Sequence, residues 1–383
     1  MKINKRYRYK STFFAILFSS LIIIRILLEG TGGGIWNIFQ AIFVASGLTV
    51  LIHRSKIVFN SPKPIVIFTV FSIYIWILST LYLEQIDLDK LFYFLVVPFA
   101  GMVTLVFYNI GLKTDIDNKK IIYLITFYVV AFIFFTGRRK VLTGAADLGM
   151  MVANSYYLLT LLPLILVFTK IRFSFVPFLV AFIIILMSGK RAGMLAISMM
   201  LFLFYLDFSF KNTKKTIQNI AILFIVIIVA YFIYNIFEQQ FNLDVISRLE
   251  NLSEDGGSGR DTRWRKVIEG IGNAHPVEFL FGHGYKSTYS NIGGEAHNDF
   301  IQVFYEYGLF AFILYIGFYF SMIKLAVKML KSKYPYAKQF LISIIAALFL
   351  ASFSFFIIEP RVIIGSAVTW GLIMADWKKY LNP

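Results

Sequence analysis

The chain has 383 residues, of which 58% are hydrophobic and only 15% charged, and its mean hydropathy is +0.74. A soluble domain carries roughly 25% charge, and no soluble fold of this length could bury so much apolar surface. The formal net charge of +16 is spread over short turns between apolar runs, where it orients helices in a membrane. A nucleic-acid binder would need a soluble basic face, and none is present. The chain has no cysteine, which removes disulfides and thiolate metal sites.

The first residues, MKINKRYRYKSTFFAILFSSLIII, combine a basic head with an apolar stretch and lack a convincing small-x-small cleavage site. They read as an uncleaved first span. Apolar runs long enough to cross a bilayer predict about twelve spans. These lie near 12–29, 35–52, 64–83, 91–111, 120–136, 149–169, 173–188, 192–209, 216–237, 302–323, 339–358 and 361–377. The expected architecture is an all-α polytopic membrane protein. Transmembrane helices 1–9 occupy residues 1–237, a large, partly helical loop 238–298, and helices 10–12 residues 299–383.

Lysine and arginine set the orientation. The N-terminus holds Lys2, Lys5, Arg6, Arg8 and Lys10, and every second turn is basic: Arg54 to Lys63, Lys113 to Lys120, Lys170 and Arg172, Lys211 to Lys215, Lys324 to Lys338, then Lys378 and Lys379. This pattern predicts both termini in the cytoplasm and the long loop outside it. Three outward turns break the rule: Arg138, Arg139 and Lys140; Lys190 and Arg191; and Arg361. Each alone reads as surface charge or as a partner for acids of the loop. Together, under a large loop, they point to an anion-binding outer face. Arginine suits phosphate because its planar fork donates two parallel hydrogen bonds.

Within the loop, RDTRWRKVIEGIGNA places Trp264, Val267, Ile268 and Ile271 on one helical face. EDGGSG reads as a flexible lead-in, with Asp261 or Thr262 as cap. Arg260, Arg263 and Arg265 cluster at the helix start, which favours phosphate; the competing reading is an interfacial helix whose arginines meet lipid headgroups. FLFGHGYKS is a turn with two glycines, where backbone can approach a ligand. Next, a helix begins near His297 or Asn298. Asn298, Gln302 and Glu306 share one face of it, and such a polar stripe faces a bundle interior or a wet cavity. His297 can accept or donate a proton near neutrality. His275 and His283 have weaker settings, and His53 sits at an ordinary helix end. No metal-binding spacing and no nucleotide-binding loop are present, so no cofactor is expected.

The order of these features resembles the bacterial O-antigen ligases and Wzy-type polysaccharide polymerases. The resemblance rests on SGKRAG at 188–193, GRDTRW at 259–264, GHGY at 282–285 and HNDFIQVFYEYG at 297–308. LGMMVANSYYLL adds Asn154. It covers roughly 185–312; elsewhere it rests on hydropathy and span count. The first turn departs from the family pattern in being Gly-Lys-Arg, which brings Lys190 beside Arg191. The resemblance implies a GT-C-like membrane glycosyltransferase of the bacterial plasma membrane, with an undecaprenyl-pyrophosphate-linked glycan as donor. By resemblance Arg191 and Arg260 hold the pyrophosphate and His297 assists the acceptor hydroxyl. Lys190, Arg263, Asn298, Asn154, Arg138 and Arg361 are further candidates for binding pyrophosphate or glycan. Membrane lipid, a chain-length regulator and a flippase are the expected partners.

A polymerase of lipid-linked repeat units is the leading expectation. A ligase acting on lipid A core has the same chemistry with a different acceptor. A transporter or flippase would call for paired halves or cations deep in the bundle, and Arg25 is the one basic residue placed well inside a span.

Overall fold

The computed structural model describes residues 34–53, 58–82, 97–113, 191–205, 256–354 and 360–381, with isolated positions between 159 and 232. Among these residues the regular elements are all helices. They are α1 (Gly34–His53), α2 (Lys63–Leu81), α3 (Phe99–Lys113), α4 (Arg191–Tyr205), α5 (Gly256–Gly272), α6 (Pro276–Phe281), α7 (Ser287–Ile292), α8 (Asp299–Lys331), α9 (Ala337–Phe353) and α10 (Pro360–Leu381). The expected spans at 12–29 and 120–136 lie outside the described residues, and those at 149–169, 173–188 and 216–237 are described only at isolated positions. By length and composition, α2 and α8 are the described helices able to cross a membrane; α3 and α9 are shorter apolar helices.

The bundle is held by close, mostly aromatic contacts. Phe68 of α2 stacks on Phe318 of α8 with ring centroids 4.3 Å apart, and Phe71 meets Tyr315 at 5.5 Å. Rising residue numbers on α2 thus meet falling ones on α8, so the two are antiparallel. α10 lies along α3 in the same direction: a Cβ at Gly111 would stand 2.7 Å from that of Ala375, and one at Gly371 would stand 2.6 Å from the Thr104 carbonyl oxygen. Small residues let helices approach this far, and in lipid such packing is a main source of association. Trp370 joins the two pairs. Its indole N–H donates to Ser343 of α9 at 3.0 Å, and its ring packs against Phe318 and Phe68.

One end of this bundle is basic. His53 closes α1, Lys63 opens α2, Lys113 closes α3, Lys328 and Lys331 close α8, and Lys378 and Lys379 close α10. Lys378 donates to the Asn60 carbonyl in the turn between α1 and α2 at 2.7 Å. The opposite end carries α5, α6 and α7.

Two expected boundaries change. Of the span expected at 91–111, residues 91–96 lie outside the described residues, and the helix from Phe99 follows a turn at Val97 and Pro98, because proline favours the start of a helix and not its interior. Span 302–323 becomes a longer element with a break. Gly308 adopts φ 76° and ψ −176°, which ends one helical arm at 307 and begins another at 309. That backbone region is essentially restricted to glycine. Sixteen residues of straight helix would span about 24 Å, yet the Tyr315 hydroxyl donates to Asp299 Oδ2 at 3.1 Å. Phe300 likewise meets Tyr315, and Phe304 meets Phe312. The arms are therefore folded against each other, with the elbow at Gly308.

Candidate functional site

The elbow is made possible by the turn between α6 and α7. Breaking a helix strands carbonyls that the next turn would have bonded. Here the Tyr305 carbonyl accepts from the His283 N–H and the Glu306 carbonyl from the Gly284 N–H, both at 2.9 Å. The contact leaves no room for side chains: a Cβ at Gly282 would stand 2.3 Å from the Glu306 carbonyl oxygen, and one at Gly308 2.3 Å from that of Leu280. Tyr82, at the end of α2, donates to the Gly282 carbonyl at 2.8 Å and covers Gly284 with its ring. The Gly-x-Gly turn, expected to meet a ligand, is thus filled by protein.

The polar stripe of α8 is engaged in the same way. Asn298 is the N-cap; its side-chain oxygen accepts from the N–H groups of Phe300 and Ile301 at 3.0 and 3.3 Å. Glu306 is fully buried, and its Oε1 accepts from the Thr288 hydroxyl at 2.5 Å and from Gln302 Nε2 at 3.0 Å. Gln302 Oε1 in turn accepts from the Ala296 N–H at 3.3 Å. The Ala296 carbonyl takes the Trp264 indole N–H of α5 at 2.6 Å. This chain of bonds fixes the residue directly before His297. His297 itself has φ 54°, a left-handed value that favours glycine, and its Nδ1 is shielded from solvent. Thr288, a central partner in this network, carried no sequence signal.

α5 packs its apolar face inward. Val267 and Ala296 are fully buried against Tyr305, with Trp264 and Ile271 around them. Ile268, expected on that face, is exposed. Most of the apolar face of this helix is therefore packed on protein, with Ile268 left exposed. The helix runs from Gly256 with an interruption at Gly259, and the Asp261 carboxylate bonds to Arg265 instead of a helix-end N–H. Regular turns run from Arg260, after Gly259 at φ 73°.

The three arginines of α5 diverge. Arg260 donates through Nη1 to the Phe353 carbonyl, the last of α9, at 2.7 Å, a point made favourable by the negative end of the helix dipole. Arg263 lies over the turn at Gly294, its guanidinium carbon 3.6 Å from where a Cβ there would stand. Arg265 turns away to pair with Asp261 at the exposed surface; that hydrogen bond and charge hold the Asp261 carboxyl below the usual range.

Two candidates on other helices come to the same end. Lys338 at the start of α9 has its ammonium 5.7 Å from the ring of Phe204 near the end of α4. α4 and α9 are therefore antiparallel, and Arg191, first residue of α4, starts at the end where Phe353 and Arg260 meet. Tyr334, just before α9, donates to Asp376 of α10 at 2.7 Å, so Arg361 at the start of α10 also lies at the far end. For Arg191 and Arg361 the backbone is described and the side chain is not. Lys190, Asn154 and Arg138 lie outside the described residues. His275 caps α6 with Glu278, and His283 Nδ1 is 3.6 Å from Glu278 Oε1. Among the described residues no three His, Asp or Glu side chains are grouped to hold a metal.

Comparison with protein families gives two matches. Residues 176–316 match a family model described as O-antigen ligase, and residues 257–379 match one described as O-antigen ligase like membrane protein. A search of curated proteins finds no match. Together the two family matches run from residue 176 to residue 379, through α4, the loop helices, His297 and α10, and over that stretch the chain is similar to the O-antigen ligase and Wzy family, whose members are membrane enzymes of polysaccharide assembly.

Proposed function

We propose that the protein is a polymerase of undecaprenyl-pyrophosphate-linked oligosaccharide repeat units, with a GT-C-like arrangement of about twelve spans. It acts at the outer face of the bacterial plasma membrane, with both termini in the cytoplasm and no metal or nucleotide. The observation that carries the reading is the convergence of Arg191, Arg260 and Arg361 on the bundle end that also holds Arg263 and the strained His297. The basic opposite end supports the orientation, because lysines and arginines concentrate on the cytoplasmic side.

In the proposed reaction an acceptor hydroxyl oxygen attacks the anomeric carbon of the donor glycan. The carbon–oxygen bond to the pyrophosphate breaks, and the departing oxygen keeps the electron pair. Arg191 and Arg260 stabilise that charge. Arg260 spends one donor on Phe353, and a guanidinium has five. His297 takes the hydroxyl proton. Asn298, Arg263 and Arg361 are further candidates for binding donor or acceptor, and Lys190, Asn154 and Arg138, outside the described residues, are candidates by the family resemblance alone. A flippase supplies the donor, and a chain-length regulator sets when transfer stops.

A second reading, ligation of finished glycan to lipid A core, uses the same chemistry with a different acceptor, and the family descriptions do not separate the two. A glycan profile of cells lacking the gene separates the readings, with lipid-linked and surface glycans run apart. Surface glycan of a single repeat supports polymerisation. Full-length polymer retained on the prenyl carrier supports ligation. Single repeats held on the cytoplasmic side of the membrane remove both and favour transport.

A further inference from the structure

The second arm of α8 carries exposed apolar side chains at Phe310, Ile313, Ile316, Phe320, Ile323, Val327 and Leu330. Their spacing of three and four residues makes one continuous stripe. From Phe310 to Leu330 the stripe is about 30 Å long, which matches the hydrocarbon thickness of a bilayer. It ends at Lys331 and Lys333 in the basic end of the bundle. The stripe is thus the lipid-facing side of the span, and Phe310 marks one edge of the hydrocarbon.

α6 sits at that edge. The Phe281 ring is 5.6 Å from the Phe310 ring, and the Leu280 and Phe281 backbone packs on Gly308. Yet α6 leaves much of its own apolar surface uncovered: Val277 is 55% exposed, Phe279 38% and Phe281 37%. Its one charged side chain, Glu278, is turned back to the His275 N–H at 3.0 Å and towards His283. An uncovered apolar element continuous with a lipid-facing stripe is an extension of that stripe.

We infer that α6 is a membrane-dipping helix: Val277 and Phe281, four residues apart on one face, insert into the acyl chains of the bilayer leaflet at the α5–α7 end of the bundle, while Phe279 packs on Phe304 of α8. The loop is thereby seated in the lipid at the point where its next residues, His283 and Gly284, hold the elbow of α8. The inference needs only the membrane setting and is independent of glycosyl transfer.

The chain contains no cysteine, so single-cysteine labelling is clean. Val277→Cys, Phe281→Cys, Ile313→Cys and Lys266→Cys full-length variants are labelled with bimane. They are placed in nanodiscs of phosphatidylethanolamine and phosphatidylglycerol, with or without doxyl-labelled acyl chains. The expected result is acyl-chain quenching at 277 and 281 within about twofold of that at 313, with little quenching by aqueous iodide. Lys266, exposed on α5, should show the reverse. Iodide quenching at 277 equal to that at 266 would overturn the inference. So would protection from both quenchers, which would mean that a second copy or another protein covers α6. Loss of doxyl quenching on adding a polyprenyl phosphate would also overturn it, and would give the surface to the substrate's tail. The 313 variant sets the quenching expected of a lipid-facing position, and a monodisperse size-exclusion peak for each variant reports that it is folded.

Discussion

Asp299 and Tyr315 are sixteen residues apart on what the sequence presents as one helix, and their side chains are hydrogen-bonded at 3.1 Å. Only a reversal of direction at Gly308 allows this. The reversal carries His297 and the Asn298 cap back from the elbow by about 10 Å, the length of the seven residues from Gly308 to Tyr315. The stretch that opens α8 is therefore an arm laid against the span, held at both ends by buried polar bonds.

Gly308→Ala is expected to lower stability. The backbone conformation alone costs about 1–3 kcal/mol for a residue with a side chain, and the new Cβ would meet the Leu280 carbonyl oxygen. Thermal unfolding of the purified protein should show a large drop in Tm or loss of folded material. Gly272→Ala, where nothing lies within 4 Å, should change stability by no more than about 0.5 kcal/mol.

Removing either partner of the buried pair at the foot of the arm should destabilise the fold. Tyr315→Phe withdraws a donor from buried Asp299, at about 1–3 kcal/mol. Asp299→Ala removes the acceptor. A double-mutant cycle should give a combined loss smaller than the sum, whereas additive losses would mean that the two groups do not interact.

Gln302→Leu and Thr288→Val should each remove one bond from buried Glu306, costing about 1–3 kcal/mol. Gln302→Leu also frees the Ala296 N–H next to His297. Polymer formation in complemented cells should therefore fall further for Gln302→Leu than for Thr288→Val at equal membrane abundance. Equal losses would separate the network from His297.

Arg191→Ala and Arg260→Ala should each abolish polymer while protein remains in the membrane. His297→Ala should do the same. Near-normal product from either arginine variant would remove that residue from the pyrophosphate site. Arg260→Lys should rescue poorly, because lysine lacks the guanidinium fork that can hold Phe353 and an anion together.

A reporter inserted after Gly257, at the start of α5, is expected to read as extracytoplasmic, and one after Lys333 as cytoplasmic. The opposite pair of readouts would reverse the orientation of the bundle.

Several elements were legible before any coordinates. α1, α2 and α4 begin within a residue or so of the apolar runs expected at 35–52, 64–83 and 192–209, because a span is marked by local composition. The stripe of Asn298, Gln302 and Glu306 was visible as a helical period, and Asn298 as a helix start. Gly308 was legible as a position for a break or a close approach. How sharply the chain turns there was not, since a glycine permits the conformation without requiring it.

The sequence by itself determined the setting: a helical membrane protein, helices with basic ends, and a stretch before α8 that bears arginines and His297. These follow from composition and from periods of three to four residues, which act over a single turn. Tertiary structure decided what those residues touch. Tyr82 meets Gly282, Arg260 meets Phe353 and Thr288 meets Glu306 across separations of 200, 93 and 18 residues. Such contacts arise because buried donors and carbonyls freed by a broken helix must find partners, and the nearest ones in space belong to distant parts of the chain.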